Sequence, residues 1–382
     1  FQAEDGIRDL VRSRGLGDVY KRQVMAPLRR FAAEAAAAGI KTVTGDIVAN
    51  DLYFDRRFWC PSWPSNQWIH WYQAPVGALA FNDNCVDTIV RPGSSDGASA
   101  IVTLSPDVGY VDFTNSIKTT SSLKKHRSTG YGFYRDKLSN VVRAKGVYYQ
   151  KGAAAESNFT VYDPSLYLAT ALRKALSDAG ISVRGQVRRM APSESLEGAR
   201  LIAGNHVKLA EVVRFCNLNS QNLYAEMLLK TLGREVEGEG SFEAGGRAVG
   251  RFLEKVGIKP GEYVMADGSG LSPETNFSTM ALTEILKYMY RHPSVNEFRD
   301  SLPLSGYEGS LASRLADGPY LGKIRAKTGY ILRVSALSGY ALTANGKTVA
   351  FSMVFNGFKG SNRYTIKPIQ DKICRTIVDS SP

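Results

Sequence analysis

The final third of the chain carries a pattern that few folds can satisfy. Gly322 to Thr328, Ser335 to Thr343 and Lys347 to Phe355 read as three successive strands, and Asn345-Gly346 between the last two is a strong hairpin signal. Four helical patterns precede this meander: KLAEVVRFCNLN, NLYAEMLLKTLG, FEAGGRAVGRFLEKVG and TMALTEILKYMYRH. A fifth, about Thr365 to Val378, follows it. An antiparallel meander must bury at least one face, and helices on both sides of it in sequence supply the cover. The expected class is α+β, an antiparallel sheet flanked by helices.

The first half is organised differently. PLRRFAAEAAAAG, residues 27 to 39, reads as an Ala-rich helix closed by Gly39, with Ile40 to Ala49 as a strand behind it. The pattern recurs after Asp163-Pro164, an N-cap followed by a first-turn proline, where SLYLATALRKALSDAG runs to Gly180 and ISVRGQV follows. Both copies run Ala-Gly-Ile into a strand, so one layered α/β domain can hold them. Between the copies, CVDTIVRP, AIVTLSP, LSNVVRAKG and VYYQKG read as short strands of a small, mostly β module. The loop WCPSWPSNQWIHWYQAP contains all four tryptophans, and it reads as a lid pinned to a core by its aromatics rather than as a sugar-stacking platform.

The expected organisation is therefore a leader at 1–23, an inserted α/β domain in two segments (24–72 and 150–207), a mostly β inserted domain at 73–149, and the α+β domain at 208–382. The leader has no apolar period and mixed charge, and is expected to be non-native. With 382 residues, 43% of them hydrophobic, the chain can build several cores. No run approaches the eighteen apolar residues of a membrane span.

The net charge is +12, and the leader's five basic and four acidic residues leave +11 without it. Apart from Lys124-Lys125-His126-Arg127 the basic residues are scattered, with no recognition helix or aromatic-basic platform, so nucleic acid is not an expected partner. Cys60, Cys85, Cys216 and Cys374 show no Cys-x-x-Cys pairing and His70, His126, His206 and His292 lie far apart, so neither a metal site nor a cofactor is expected. Cys60 and Cys85 read equally well as a bridge or as two isolated buried thiols.

Two tripeptides carry chemistry. Lys327-Thr328-Gly329 sits near the end of a strand beside a hairpin, where a cation and a hydroxyl suit a terminal carboxylate and Gly329 admits a substrate backbone. Ser220-Gln221-Asn222 lies between two helical patterns, where the serine can relay a proton and the asparagine amide can hold a carbonyl. Alone, the first is weak and the second reads as an ordinary helix N-cap.

Order and context change that judgement. NLYAEMLLK, ADGSGLSPETNFST, SLPLSGYEGSL, KIRAKTG and SGYALTANGKTVAF follow one another, and GDIVAND and APVGALAFNDNCVD stand upstream. Together they resemble the low-molecular-mass class C penicillin-binding proteins, the D-alanyl-D-alanine carboxypeptidase/endopeptidases of DacB type (peptidase family S13). The resemblance runs from about Gly39 to the C-terminus. It implies a β-lactamase/transpeptidase-like domain with two inserted smaller domains, a periplasmic or extracytoplasmic setting, peptidoglycan stem peptides as substrate, and β-lactams as ligands of the full-length parent. It implies Ser220 as proton relay, Asn222 as substrate-orienting amide, Lys327 with Thr328 as carboxylate site, and the backbone N–H of Tyr330 as one oxyanion donor. Tyr330 stands where the family commonly has serine or threonine after Gly329.

The third motif of the set, Ser-x-x-Lys, belongs upstream of the recognisable sequence, and its nucleophile is expected to have been lost by N-terminal truncation. Poor solubility is a further expectation. Ser121 and Ser122 give two formal matches to Ser-x-x-Lys inside the β module and read as part of a solvated basic loop. Gly93-Ser94-Ser95-Asp96-Gly97 matches a nucleophile elbow formally but lies between two strands, as a hairpin loop does. The expected chain is a serine D-Ala-D-Ala carboxypeptidase or endopeptidase by family, inactive as it stands; the alternative is a non-catalytic peptidoglycan-binding or scaffold protein. An esterase of the hydrolase fold ranks last, since His292 precedes the meander and lacks the required context.

Overall fold

A computed structural model describes residues 24–381, and the expected leader at 1–23 lies outside them. The described residues divide into two compact units, one of 24–59 together with 64–207 and one of 60–63 with 208–381.

In the first unit, α1 (Ala26–Ala37), β1 (Thr42–Val43) and β2 (Ile47–Ala49) are followed by β3 (Cys85–Arg91), β4 (Ile101–Ser105), β5 (Asp112–Thr120), α2 (Leu123–Thr129), β6 (Tyr131–Tyr134), β7 (Val141–Tyr149) and β8 (Ala155–Thr160). Then come α3 (Pro164–Asp178), β9 (Ser182–Val183) and β10 (Val187–Arg189). The two Ala-Gly-Ile copies pair with each other: β1 lies parallel to β9 with Thr42 opposite Ser182, and β2 parallel to β10 with Ile47 opposite Val187. Leu28 and Phe31 of α1 and Tyr167, Leu168 and Leu172 of α3 are buried in one cluster with Phe81, Val142 and Phe159. Asp163 caps α3 through Leu166 N–H at 3.2 Å, as the sequence predicts, and also pairs with Arg189 of β10 at 2.6 Å.

Several local expectations are corrected. The strand expected over Ile40 to Ala49 is broken in two, with Asp46 between the pieces accepting the Gln186 N–H at 2.8 Å. The two strands expected at LSNVVRAKG and VYYQKG are one, β7, because Gly146 does not end it. Its φ is +118° and a Cβ there would lie 2.3 Å from the Gly130 carbonyl, so it accommodates a close crossing inside the strand. The basic cluster at Lys124 is not a loop but the short helix α2, which Ser122 caps by accepting the Lys125 N–H at 3.2 Å. The Gly93–Gly97 segment joins β3 to β4, as a hairpin loop does. Three indole N–H groups are anchored: Trp59 on Gln73 O at 3.0 Å and Trp68 on Arg135 O at 3.2 Å in this unit, and Trp63 in the other on Asp267 at 2.9 Å.

The second unit holds α4 (Leu209–Asn219), α5 (Asn222–Glu237), α6 (Phe242–Val256), β11 (Tyr263–Val264), β12 (Asn276–Phe277), α7 (Thr279–Tyr290) and α8 (Val295–Ser301). The meander follows as β13 (Ile324–Ile331), β14 (Val334–Leu342) and β15 (Thr348–Asn356), and α9 (Lys367–Asp379) closes the chain. The sheet order is β13-β14-β15, antiparallel throughout, with Lys327 opposite Ser338 and Leu337 opposite Met353. Ile324, Ala326, Leu337, Ala341 and Phe351 pack with Cys374 and Val378 of α9. On the other face Tyr340 packs with Leu286 of α7 and Phe298 of α8, and its hydroxyl donates to Leu286 O at 2.6 Å. Helices thus cover both faces of an antiparallel sheet, the α+β layering expected.

Among the described residues no helix is long and apolar enough to cross a membrane, and all four cysteines are free thiols. Leu337 is wholly buried at the centre of the sheet, so Leu337→Ala is expected to cost about 2–5 kcal/mol, measured as a lowered denaturant midpoint without a change of slope.

Candidate active site

α4 ends where Ser220 takes a left-handed conformation (φ 53°, ψ 52°), and the N–H groups of Ser220 and Gln221 both close on Cys216 O. The chain reverses there, Gln221 occupies the N-cap of α5, and Asn222 begins its first turn. Ser220 is therefore not an N-cap: it is a non-glycine residue holding the αL corner between two helices, a conformation that must be imposed by its surroundings.

Those surroundings are visible. Gly309, with φ +51°, lies so close to α4 that a Cβ would sit 2.5 Å from Leu218 O. Glu308 beside it pairs with Arg214 of α4 at 2.6 Å and with Arg325 of β13 at 3.6 Å. Helix end, 308–311 turn and strand are in this way fastened to one another.

Lys327 and Thr328 leave opposite faces of β13, as successive strand residues must. Lys327 Nζ donates to Ser220 Oγ at 2.7 Å and to Thr328 O at 2.7 Å. Thr328 Oγ1 donates to Ser310 Oγ at 2.9 Å. The two sequence motifs thus meet directly. Asn222 stands two residues from Ser220, partly buried, and Gly329 and Tyr330 are exposed beyond them.

β13 is an edge strand. Its open side is covered at first, by Ser305 N–H on Ile324 O at 2.8 Å and Ala326 N–H on Pro303 O at 3.0 Å. Past Ala326 no such backbone partner is found among the described residues. Because strand N–H groups alternate sides, those of Thr328 and Tyr330 point the same way as that of Ala326, out along the free edge.

Removal from water holds the Lys327 ammonium down to about 8, with nearby Cys216 acting the other way. Burial pushes the Cys216 thiol up to about 11, so it is no nucleophile at neutral pH. Next along α5, Glu226 is wholly buried; burial and then Asp267 push its carboxyl up to about 7. Sequence reasoning assigned no role to Ser310, Glu226 or Asp267. Each stood inside a quoted segment, but one serine or one carboxylate in a helix carries no mark of its partners.

Among the described residues no group of three or more His, Cys, Asp or Glu side chains is placed to hold a metal ion. The serine at 2.7 Å from a partly desolvated lysine, with a strand edge alongside, can hold a carboxylate and move a proton.

The sequence profile of the D-Ala-D-Ala carboxypeptidase 3 (S13) family matches residues 8–376. The chain belongs to that family. The D-alanyl-D-alanine carboxypeptidase of Actinomadura sp. (strain R39) is 29% identical over 350 residues, covering 87% of this chain and 63% of that protein. The chain thus spans less than two thirds of this relative's length. The D-alanyl-D-alanine carboxypeptidase DacB of Haemophilus influenzae is 24% identical over 358 residues, covering 91% and 72%. The crystal structure of penicillin binding protein 4 (dacB) from H. influenzae superposes with a TM-score of 0.82 at 21% identity, covering 93% of this chain and 80% of that one, which establishes the fold.

A lysine lowered to about 8 loses its charge as pH rises through that value. Lys327 is expected to titrate near pH 8, rather than about 10.4 as an exposed lysine does. The check is the 13Cε shift of selectively labelled lysine, assigned with Lys327→Arg; a midpoint above 10 contradicts it.

Proposed function

We propose that this S13 chain is the substrate-cradling part of a serine D-Ala-D-Ala carboxypeptidase or endopeptidase that acts on peptidoglycan stem peptides outside the cytoplasm. The observation that carries the reading is the Lys327 Nζ to Ser220 Oγ bond of 2.7 Å, which puts a cation and a hydroxyl together midway along β13, where its free edge begins. An extended peptide can pair with that edge, its terminal carboxylate drawn to Lys327 and Thr328. Asn222 would orient the peptide through a carbonyl. The Tyr330 N–H would be one oxyanion donor, since it points along the free edge. As the hydroxyl of Tyr330 is not called upon, a tyrosine after Gly329 is compatible with that role.

We propose further that the polypeptide as it stands binds without acylating. Acyl transfer needs an activated hydroxyl distinct from the relay. The two Ser-x-x-Lys matches do not offer one: Ser121 and Ser122 are exposed in the β-rich unit, and Ser122 caps a helix with its Oγ. This leaves the cradle as a binding site, the state that a non-catalytic peptidoglycan binder would also have.

Incubation with a fluorescent penicillin tests the proposal. The expected result is no covalent label on denaturing gels, with reversible binding of an acetylated D-alanyl-D-alanine dipeptide weakened at least tenfold by Lys327→Ala. Stoichiometric labelling overturns the inactive reading, and a label on Ser220 makes that serine the nucleophile. Equal dipeptide affinity in Lys327→Ala overturns the cradle.

A further inference from the structure

One buried carboxylate lies next to the cradle and has no part in it. Glu226 is on α5, four residues after Asn222, and none of its surface is exposed. Its Oε2 accepts the Gly268 N–H at 2.8 Å and its Oε1 accepts the Ser269 N–H at 2.8 Å. A carboxylate that takes two consecutive backbone N–H groups, one on each oxygen, fixes both the distance and the orientation of the segment it holds.

That segment, residues 266–272, is folded about a second buried carboxylate. Asp267 accepts from Trp63 Nε1 at 2.9 Å, Ser272 N–H at 2.8 Å, Thr275 Oγ1 at 2.6 Å and Ser269 Oγ at 3.2 Å. The loop is thus stiff in itself. It also lies directly on α5: a Cβ on Gly268 would be 2.7 Å from Ala225 O and 3.1 Å from Leu229 Cβ. Residues 225, 226 and 229 are three, four and seven positions beyond Asn222, which places them on the face of the helix that Asn222 heads. Past this contact the loop turns outward, with Gly270 exposed at φ +73°.

Two carboxylates buried side by side are costly, and an apolar pair of the same size would pack α5 against a loop without that cost. What an apolar pair cannot do is satisfy the two N–H groups that the close approach of Gly268 removes from water.

We infer that Glu226 is a positioning residue: its carboxylate fixes the 266–272 loop along the Asn222 face of α5, so that the loop forms a wall beside Asn222 and sets the orientation of that amide. Its functional meaning rests on Asn222 being a substrate-holding amide, as proposed above; its geometry does not. The ligand so oriented is a peptide carbonyl, and Glu226 acts on it only through the loop and Asn222.

The test uses the full chain, labelled with 15N. Glu226→Gln keeps the size of the side chain but turns one acceptor into an NH2 donor facing a backbone N–H. The expected result is at least a tenfold loss of hydrogen-exchange protection at Gly268 and Ser269, with protection in β13, β14 and β15 unchanged, and a displaced Asn222 side-chain NH2 resonance. Gly268→Ala pushes the loop off α5 while leaving Glu226 intact, and it is expected to displace the same resonance; it carries the test alone if Glu226→Gln does not fold. In Glu226→Gln the affinity for acetylated D-alanyl-D-alanine is expected to fall about tenfold. An unmoved Asn222 resonance in the folded variants, or full protection at Gly268 and Ser269 in Glu226→Gln, overturns the inference. If the unmodified chain does not bind the dipeptide, the cradle reading fails, while the exchange and Asn222 signals still decide the role of Glu226.

Discussion

The bond from Lys327 to Ser220 joins two parts of the fold that have separate reasons to exist. One is the meander, held by its own ladder and by apolar layers on both faces. The other is the helix pair α4 and α5, hinged at an αL serine. Neither is free: a left-handed non-glycine residue costs on the order of 1–3 kcal/mol, and removal from water disfavours the charged form of the lysine. They are tolerated because the neighbouring packing is over-determined. Gly309 admits the closest approach to Leu218, and Glu308 bridges Arg214 and Arg325, so helix end and strand are fixed before the polar groups meet.

The same economy explains the buried carboxylates. Glu226 accepts two backbone N–H groups of one loop, and Asp267 accepts a backbone N–H, the Trp63 indole N–H and two hydroxyls. Gly233 and Gly245 bring α5 and α6 equally close, a Cβ on Gly245 falling 2.3 Å from Leu229 O. Small residues set the spacing of α5 from its neighbours, and charged groups then satisfy the backbone that the spacing dehydrates.

Much of this was legible in the sequence, for identifiable reasons. Period-2 and period-3.6 patterns located the meander and its helices to within a few residues, and Asp163-Pro164 marked the start of α3. The repeated Ala-Gly-Ile segments were visible as copies, although their parallel pairing was not, since two- and three-residue strands leave no periodic trace. β5 and β8, rich in Thr, Ser and Asn, escaped because their faces are only half apolar. Gly146 misled because a glycine that ends a strand and one that permits a close crossing look alike. As for the site, Ser220 and Lys327 are 107 residues apart, and no spacing rule brings them together; only the family resemblance did. Ser310 was out of reach, since its partner is fixed by where Gly309 meets α4.

The central claim is that the open edge of β13 and the α4–α5 corner form one receptor for a peptide carboxylate. A crystal structure of the chain soaked with an acetylated D-alanyl-D-alanine dipeptide tests it most directly. The account requires the carboxylate at Lys327 Nζ and Thr328 Oγ1, the peptide lying along the open edge of β13, and no covalent bond to any side chain. A dipeptide seated away from β13, or bonded to a serine of this chain, contradicts it.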